Sequence, residues 1–252
     1  MRVIINADDF GINEGVTAAI EKAITTGSIS STSVMANGSC LGEVARFAKE
    51  HPEASYGIHL CLSEFDSLTK SDGLYCSGIT DANGTFRTQA IFDVKSLEKT
   101  ETQQAIRDEL NAQIDIVSSL GFVISHADSH HHVHTIYPLR NLFADVLIKR
   151  GIKRVRLGAD FNTLRMKAHL GLWAQRILLN EFYKKRFSTA NSFLSYAEYV
   201  KKGCLSKEGE TTELMCHPGH PGAQFCAEMK LVDTKIVLKQ KGVDIITYND
   251  LR

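Results

Sequence analysis

Short apolar runs alternate along this chain with segments whose apolar residues recur at helical spacing. Val3-Ile4-Ile5 predicts a first strand. In the segment 16–24 that follows, apolar side chains recur every three or four residues, which predicts an amphipathic helix. Asn13 is placed to cap the start of this helix and Gly27 to end it. The first thirty residues therefore predict one strand–helix unit.

The same alternation continues to the end of the chain. Further strands are predicted at Ile29–Met35, Tyr56–Leu62, Phe122–Ser125, Arg154–Leu157, Thr212–Cys216 and Val243–Thr247. Further helices are predicted over Leu41–Lys49, along the apolar stripe Ile106, Leu110, Ile114, Val117 and Leu120 that ends at Gly121, from Pro138 to Gly151, over most of residues 162–203, and along Val232, Ile236 and Val237. About seven strands of one repeat type predict an α/β fold, a distorted (β/α) barrel.

The length fits a single domain spanning residues 1–252, because α/β barrels commonly run to about 250 residues. Residues 63–100 interrupt the alternation after the third strand and are rich in Ser, Asp, Gly and Thr. This insertion is interpreted either as a lid over an active site or as a plain surface excursion.

Charge and composition remove several classes of partner. Lys plus Arg equals Asp plus Glu at 29 each, so no net field favours nucleic acid or an acidic membrane surface. The N-terminal MRVIINADDF lacks the apolar run of a signal peptide, and no stretch of 18 apolar residues occurs, so we expect a soluble, cytoplasmic protein. The six cysteines form no C-x-x-C pair and are expected to be free thiols.

Two adjacent carboxylates and an apolar-strand histidine are the first candidates for chemistry. Asp8 and Asp9 directly follow the first strand, and they would repel each other in a cavity unless a cation relieved them. The alternative is that one caps the next helix while the other is solvated. His59 lies inside the strand Tyr56–Leu62, where a buried histidine is more often a structural hydrogen-bonding group than a metal ligand.

The segment 125–134 carries five of the ten histidines, and tracts of this kind usually bind metal. Asp128 within it is able to orient an imidazole through the second ring nitrogen. Late in the chain, His217 ends a predicted strand before a Pro-Gly turn, and Arg156 alternates with apolar neighbours so that it would need an anionic partner inside the barrel.

These residues share one position, since each lies at or just beyond the carboxyl end of a predicted parallel strand, where α/β barrels assemble active sites. Asp9, His59 and His130 would supply three N and O ligands and leave coordination positions open, as in a catalytic metal centre. His126, His132 and His134 stay open as alternatives to His130.

Five ordered motifs, from Val3 to Tyr248, resemble the YdjC-like carbohydrate deacetylase family, which includes chitooligosaccharide deacetylases. They are Asn6-Ala7-Asp8-Asp9-Phe10-Gly11, Ser31-Thr32-Ser33 with Asn37-Gly38, Gly57-Ile58-His59-Leu60, Asp128-Ser129-His130-His131-His132-Val133-His134 and Met215-Cys216-His217-Pro218-Gly219. The resemblance implies a distorted (β/α) barrel, one divalent ion (Mg²⁺ or Zn²⁺) on Asp9, His59 and His130, and removal of acetyl from N-acetylglucosamine-type sugars or short oligosaccharides. It also implies that many members are homodimers.

The expected reaction assigns a role to each remaining candidate. Asp8 is the general base, and His217 is either the acid that protonates the departing amine or a group that only holds a neighbouring loop. Asp128, His132, His134 and Arg156 are expected to contact substrate or to orient the ligands. The rival interpretations are a metal phosphoesterase, a metal-dependent sugar isomerase and a non-catalytic sugar-binding protein on the same scaffold.

Overall fold

A seven-stranded parallel sheet organises the computed structural model, which describes residues 1–92, 94–158, 170–202, 209–221 and 231–251. The strands are β1 (Arg2–Phe10), β2 (Ser31–Val34), β3 (Ser55–Leu60), β4 (Ala127–Ser129), β5 (Ser192–Ser195), β6 (Thr211–Cys216) and β7 (Asp244–Ile245). Their order is β4-β3-β2-β1-β6-β5, and β7 pairs with the start of β1. The sheet forms a half-barrel with helices around it, which confirms the α/β class and the parallel strands of a distorted barrel.

The helices lie between the strands as the alternation predicts. They are α1 (Glu14–Thr25), α2 (Leu41–Glu50), α3 (Asp72–Cys76), α4 (Val94–Leu97), α5 (Thr100–Ser118), α6 (Arg140–Lys149), α7 (Leu170–Lys184), α8 (Tyr196–Lys202) and α9 (Leu231–Gln240). The Asn13 side chain accepts a hydrogen bond from the Val16 amide at 3.0 Å and caps α1. Gly27, with φ of 64°, supplies the left-handed residue after α1 that a side chain would make costly.

Strand β1 is the centre of the sheet. It is buried from Val3 to Phe10 and pairs with β6 over six consecutive positions, from Arg2 with Thr211 to Ala7 with Cys216. On the other side of β1, strand β2 pairs with the second half of β1. The carboxyl end of β1 therefore lies between the ends of β2 and β6.

Two predicted strands differ from the structure in the second half of the sheet. The fourth strand is Ala127–Ser129, downstream of the predicted Phe122–Ser125, and Val123 is 89% exposed. The predicted strand Arg154–Leu157 is reduced to isolated bridges at Arg154 and Val155. Pairing with β3 fixes these positions, because Ala127 and Asp128 align with Ile58 and His59, and local hydrophobicity does not encode that register.

One helical prediction is confirmed in its main part and another needs correction. The described part of residues 162–203, which is 170–202, is mainly helical as expected, in α7 and α8, but it also contains strand β5. In α9 the predicted apolar positions Ile236 and Val237 are 51% and 40% exposed, whereas Thr234 and Leu238 are buried. The apolar face of α9 was thus misplaced, because Thr234 is held inside by a short hydrogen bond to the Tyr196 hydroxyl.

The insertion 63–100 packs against the domain core. Leu74, Ile79, Ile91 and Leu97 are fully buried, and α3 packs on α5. Four of the cysteines, Cys40, Cys61, Cys76 and Cys216, are free thiols as expected, while Cys204 and Cys226 lie outside the described residues. None of the helices in the described ranges has the length and apolar character needed to cross a bilayer.

Candidate metal centre and its surroundings

The sequence-predicted site residues meet at the carboxyl edge of the sheet. Asp8 and Asp9 are in β1, His59 in β3 and Asp128 in β4, while His130 and His217 directly follow β4 and β6. This is the edge at which parallel α/β folds place their chemistry.

Asp9 is the point on which three imidazoles converge. Its Oδ1 lies 3.0 Å from His130 Nδ1 and 3.2 Å from His59 Nε2, and its Oδ2 lies 3.2 Å from His220 Nε2. The backbone of Asp9 has φ of 71°, a left-handed conformation that is uncommon for residues other than glycine. Strain of this kind is found where a site requires one particular side-chain direction.

Asp9, His59 and His130 can hold a metal ion. One ligand atom from each lies within 4.8 Å of the others, and the set is one carboxylate oxygen and two imidazole nitrogens. Zn²⁺ accepts these donors with further positions left for water or substrate, and carboxylate ligation also suits Mg²⁺. The remaining ring nitrogen of His59, Nδ1, lies 2.8 Å from Asp128 Oδ1, so a carboxylate fixes the orientation of this imidazole.

Asp8 lies beside this cluster and is clamped by Arg156. The Nη1 and Nη2 atoms of Arg156 donate to the two Asp8 carboxylate oxygens at 2.7 and 2.6 Å. The same guanidinium contacts Asp128 Oδ2 at 2.7 Å and donates through Nε to Glu213 Oε1 at 2.7 Å. Arg156 is fully buried, so its charge is shared among three carboxylates of the barrel interior.

The pKa values of the cluster reflect a competition between burial and close charges. Burial alone would raise the pKa of Asp9, but hydrogen bonds with His130, His220 and His59 hold it well below its usual range. Burial would lower the pKa of His59, but the Asp128 carboxylate holds it well above the usual range of histidine. Close hydrogen bonds and charges therefore outweigh the effect of burial on the pKa of both residues.

Glu213 behaves differently from the other carboxyl groups. It is fully buried in β6, and burial raises its pKa to about 7 against the opposing charge of Arg156. Its second oxygen accepts a hydrogen bond from the Tyr248 hydroxyl. This tyrosine stacks on His126 with ring centroids 3.6 Å apart.

The histidine run divides into one residue that reaches Asp9 and several that do not. His131 and His132 have φ of 50° and 54°, and this kink turns His130 inward while the His131 side chain is 41% exposed. The ring of His132 packs edge-on against Phe193, and His134 Nδ1 lies 2.5 Å from Ser129 Oγ. Burial lowers the pKa of His132 to about 3 and that of His134 well below its usual range.

His217 lies next to Asp8, with Nε2 3.9 Å from Asp8 Oδ2. Strand β6 is the direct neighbour of β1, so the histidine that follows β6 is adjacent to Asp8 and not across the barrel mouth from it. Burial lowers the pKa of His217, so the resting side chain is neutral at pH 7.

Comparison with known proteins gives these residues a context. Residues 2–246 match the family described as YdjC-like protein. The chain belongs to the YdjC-like family. A carbohydrate deacetylase of Geobacillus stearothermophilus is 30% identical over 98% of this chain and 96% of its own length. One from Vibrio parahaemolyticus serotype O3:K6 is 29% identical over 100% and 96%.

Solved structures share the fold of this YdjC-like protein. A candidate cellobiose-phosphate cleavage protein of Enterococcus faecalis V583 superposes with a TM-score of 0.75 at 23% identity, covering 98% of this chain and 97% of that one. A polysaccharide deacetylase of Bacillus cereus superposes with a TM-score of 0.50 at 13% identity, covering 99% and 92%.

Four residues of this YdjC-like site had no role in the sequence interpretation. Ser33 Oγ donates to Asp128 Oδ2 at 3.0 Å, and Glu213 contacts Arg156. His220 contacts Asp9, and Glu64 Oε2 lies 2.9 Å from His130 Nε2. His220 follows His217 by three residues and could have been noted on that basis, whereas Glu64 opens the insertion and carries no signal of its own in the sequence.

Proposed function

We propose that this protein, as one catalytic domain over residues 1–252, is a metal-dependent hydrolase that removes the N-acetyl group from N-acetylglucosamine-type sugars or chitooligosaccharides. The observation that carries the proposal is the convergence of His59 and His130 on Asp9 with a second carboxylate, Asp8, beside them. The names of the relatives, carbohydrate deacetylases, support the substrate class.

Asp9, His59 and His130 hold one divalent ion, Mg²⁺ or Zn²⁺, in this proposal. When bound, such an ion would polarise the acetyl carbonyl and lower the pKa of water toward ~7. Asp128 orients His59 from its far nitrogen, at 2.8 Å.

Asp8 acts as the general base in this proposal. The two-pronged contact with Arg156 and a 3.0 Å hydrogen bond from Asn6 fix the plane of its carboxylate, so it meets the attacking water in one orientation. The balance of the reaction then requires a proton for the departing amine, because an amide anion is a very poor leaving group.

His217 delivers that proton. Because burial keeps His217 neutral at rest, it must gain a proton before it acts as an acid, and Asp8 Oδ2 at 3.9 Å is adjacent to its Nε2. The proton that Asp8 takes from water thus passes to His217 and then to the sugar amine, and both groups return to their starting states.

The geometry gives little support to a phosphoesterase. The guanidinium of Arg156, which would have to bind the phosphate, is already engaged by Asp8, Asp128 and Glu213. A phosphate dianion at this edge would be repelled by the carboxyl groups of Asp8, Asp9, Asp128 and Glu213. An uncharged acetamide would not be repelled, so it is the better substrate.

The test is acetate release from mono-, di- and trimeric N-acetylglucosamine compounds, with Mg²⁺, Zn²⁺, Mn²⁺ or Co²⁺ added separately to metal-free protein. Alanine at Asp9, His59 or His130 should abolish metal binding. Asp8→Asn should keep the metal and lose activity by ~10²–10⁴-fold, the usual value of a general base. Metal binding without acetate release from any of these sugars would refute the proposed activity.

The acid is tested with two substrates. His217→Ala should reduce cleavage of the sugar amide far more than hydrolysis of an activated acetate ester, whose leaving group needs little protonation. Equal losses on both, with metal bound and circular dichroism unchanged, would contradict the role of His217.

A further inference from the structure

His130 lies between two carboxylates, one at each ring nitrogen. Its Nδ1 faces Asp9 Oδ1 at 3.0 Å, and its Nε2 faces Glu64 Oε2 at 2.9 Å. A neutral imidazole carries one N–H and one lone pair, so a donor bond to Glu64 leaves the Nδ1 lone pair directed at Asp9 and the proposed ion.

The arrangement repeats that of the other imidazole in the cluster. His59 presents Nε2 to Asp9 and gives Nδ1 to Asp128. The two histidines thus use opposite nitrogens toward Asp9, and each has a carboxylate at the other nitrogen. The difference is exposure, because the Asp128 side chain is fully buried whereas that of Glu64 is 48% exposed.

The segment that carries Glu64 is held to α5 on both sides. Gln113 bonds the Cys61 backbone at both N and O, at 2.8 and 2.7 Å. Glu109 accepts from the Leu68 and Thr69 amides at 3.0 and 2.9 Å. An exposed glutamate on a free loop would lose conformational entropy of its side chain and backbone on binding His130. The hydrogen bonds to Gln113 and Glu109 already order the backbone on both sides of Glu64, so part of this entropy is lost before the contact forms.

The backbone next to Glu64 supports the same interpretation. Phe65 has φ of 65°, a strained value for an aromatic residue, and its carbonyl accepts the Phe86 amide at 2.8 Å. The first turn of the insertion is therefore held in an unfavourable conformation that brings Glu64 over His130.

We infer that Glu64 is a positioning residue for the metal centre, which accepts the Nε2 proton of His130 and so presents Nδ1 to the ion. This inference rests on the proposed function, since it requires His130 to be a ligand. It links the insertion 63–100 to the ion through one hydrogen bond, without Glu64 touching substrate.

Co²⁺ titration of the metal-free full-length protein, followed by calorimetry and by the visible absorption of Co²⁺, tests the inference. Removal of an outer partner of a ligating histidine typically weakens metal affinity by roughly 10–100-fold, and this is expected for Glu64→Ala. Glu64→Gln should retain most of the affinity, because its amide oxygen still accepts the Nε2 proton. The matched control is Glu53→Ala, since Glu53 is also exposed and contacts His51 at 2.9 Å, away from the site.

A second set of outcomes separates positioning from direct ligation. Glu64, His130 and His131 also form a group that could hold a cation. If Glu64 were a ligand of such an ion, His131→Ala would weaken Co²⁺ binding as much as Glu64→Ala, and Glu64→Gln would not rescue it. The inference predicts that His131→Ala keeps wild-type affinity, and that unfolding of Glu64→Ala in EDTA matches wild type.

The inference is overturned if Glu64→Ala binds Co²⁺ within twofold of wild type while Asp9→Ala abolishes binding. It is equally overturned if Glu64→Gln is as weak as Glu64→Ala. Failure of wild type to bind Co²⁺ would instead refute the metal centre itself, and the inference with it.

Discussion

Replacing Arg156 by methionine removes the guanidinium that contacts Asp8, Asp128 and Glu213 in the barrel interior. Methionine keeps the apolar stem of the side chain, so the main loss is charge and hydrogen bonding. Arg156 is fully buried, and each of its contacts to these carboxylates is 2.6 or 2.7 Å long.

The expected cost is about 3–5 kcal/mol, the usual result of removing one partner from a buried ion pair. That is a large share of the roughly 5–15 kcal/mol that stabilises a domain. Without Arg156 the pKa values of Asp128 and Glu213 rise in the folded state, because the positive charge that lowers both is gone. The folded variant then binds more protons than folded wild type, so its deficit in stability grows as pH rises.

Urea unfolding of wild type and Arg156→Met, followed by circular dichroism in EDTA from pH 5 to pH 8, measures both the cost and its slope. The deficit should be largest at pH 8 and shrink toward pH 5. Arg46→Met is the control, because the Arg46 side chain is 56% exposed in its pairs with Glu21 and Glu50, and its loss should cost at most about 1 kcal/mol. A deficit for Arg156→Met below 1 kcal/mol, or one independent of pH, would refute the reasoning.

Three further outcomes follow from particular contacts. Gly57→Ala should destabilise the protein by about 1–3 kcal/mol in thermal unfolding, because the added Cβ would lie 2.4 Å from the His126 ring. The control is Gly42→Ala, which should be neutral or stabilising because the space around its Cβ is open. Equal effects would contradict this. Burial raises the pKa of Glu213 from 4.5 in the unfolded chain to about 7 in the folded protein, so its ionisation lowers stability as pH rises from about 4.5 to 7. Glu213→Gln should therefore flatten the dependence of unfolding free energy on pH, measured in EDTA. An unchanged slope would contradict this. Removing metal with EDTA should lower the free energy of unfolding by about 2.7 kcal/mol relative to protein in free metal ion at 100 times its Kd. Asp9→Ala should abolish the difference.

The local parts of this protein were readable from its sequence. Helix α1 has its cap at Asn13 and its stop at Gly27, because capping and helical periodicity depend on residues within a few positions. The strand ends also placed Asp8, Asp9 and His59 at one edge, since alternation of strands and helices implies a parallel sheet whose carboxyl ends share a side. The family resemblance stated from the motifs was confirmed.

Strand order and register were decided only by the tertiary structure. The neighbourhood of β1 and β6 brings His217 beside Asp8, and pairing with β3 moves β4 to Ala127–Ser129. The contact of Glu64 with His130 joins residues 66 positions apart. Such contacts depend on how distant elements pack and pair, and a chain's local periodicity carries no information about which distant partner its polar side chains will meet.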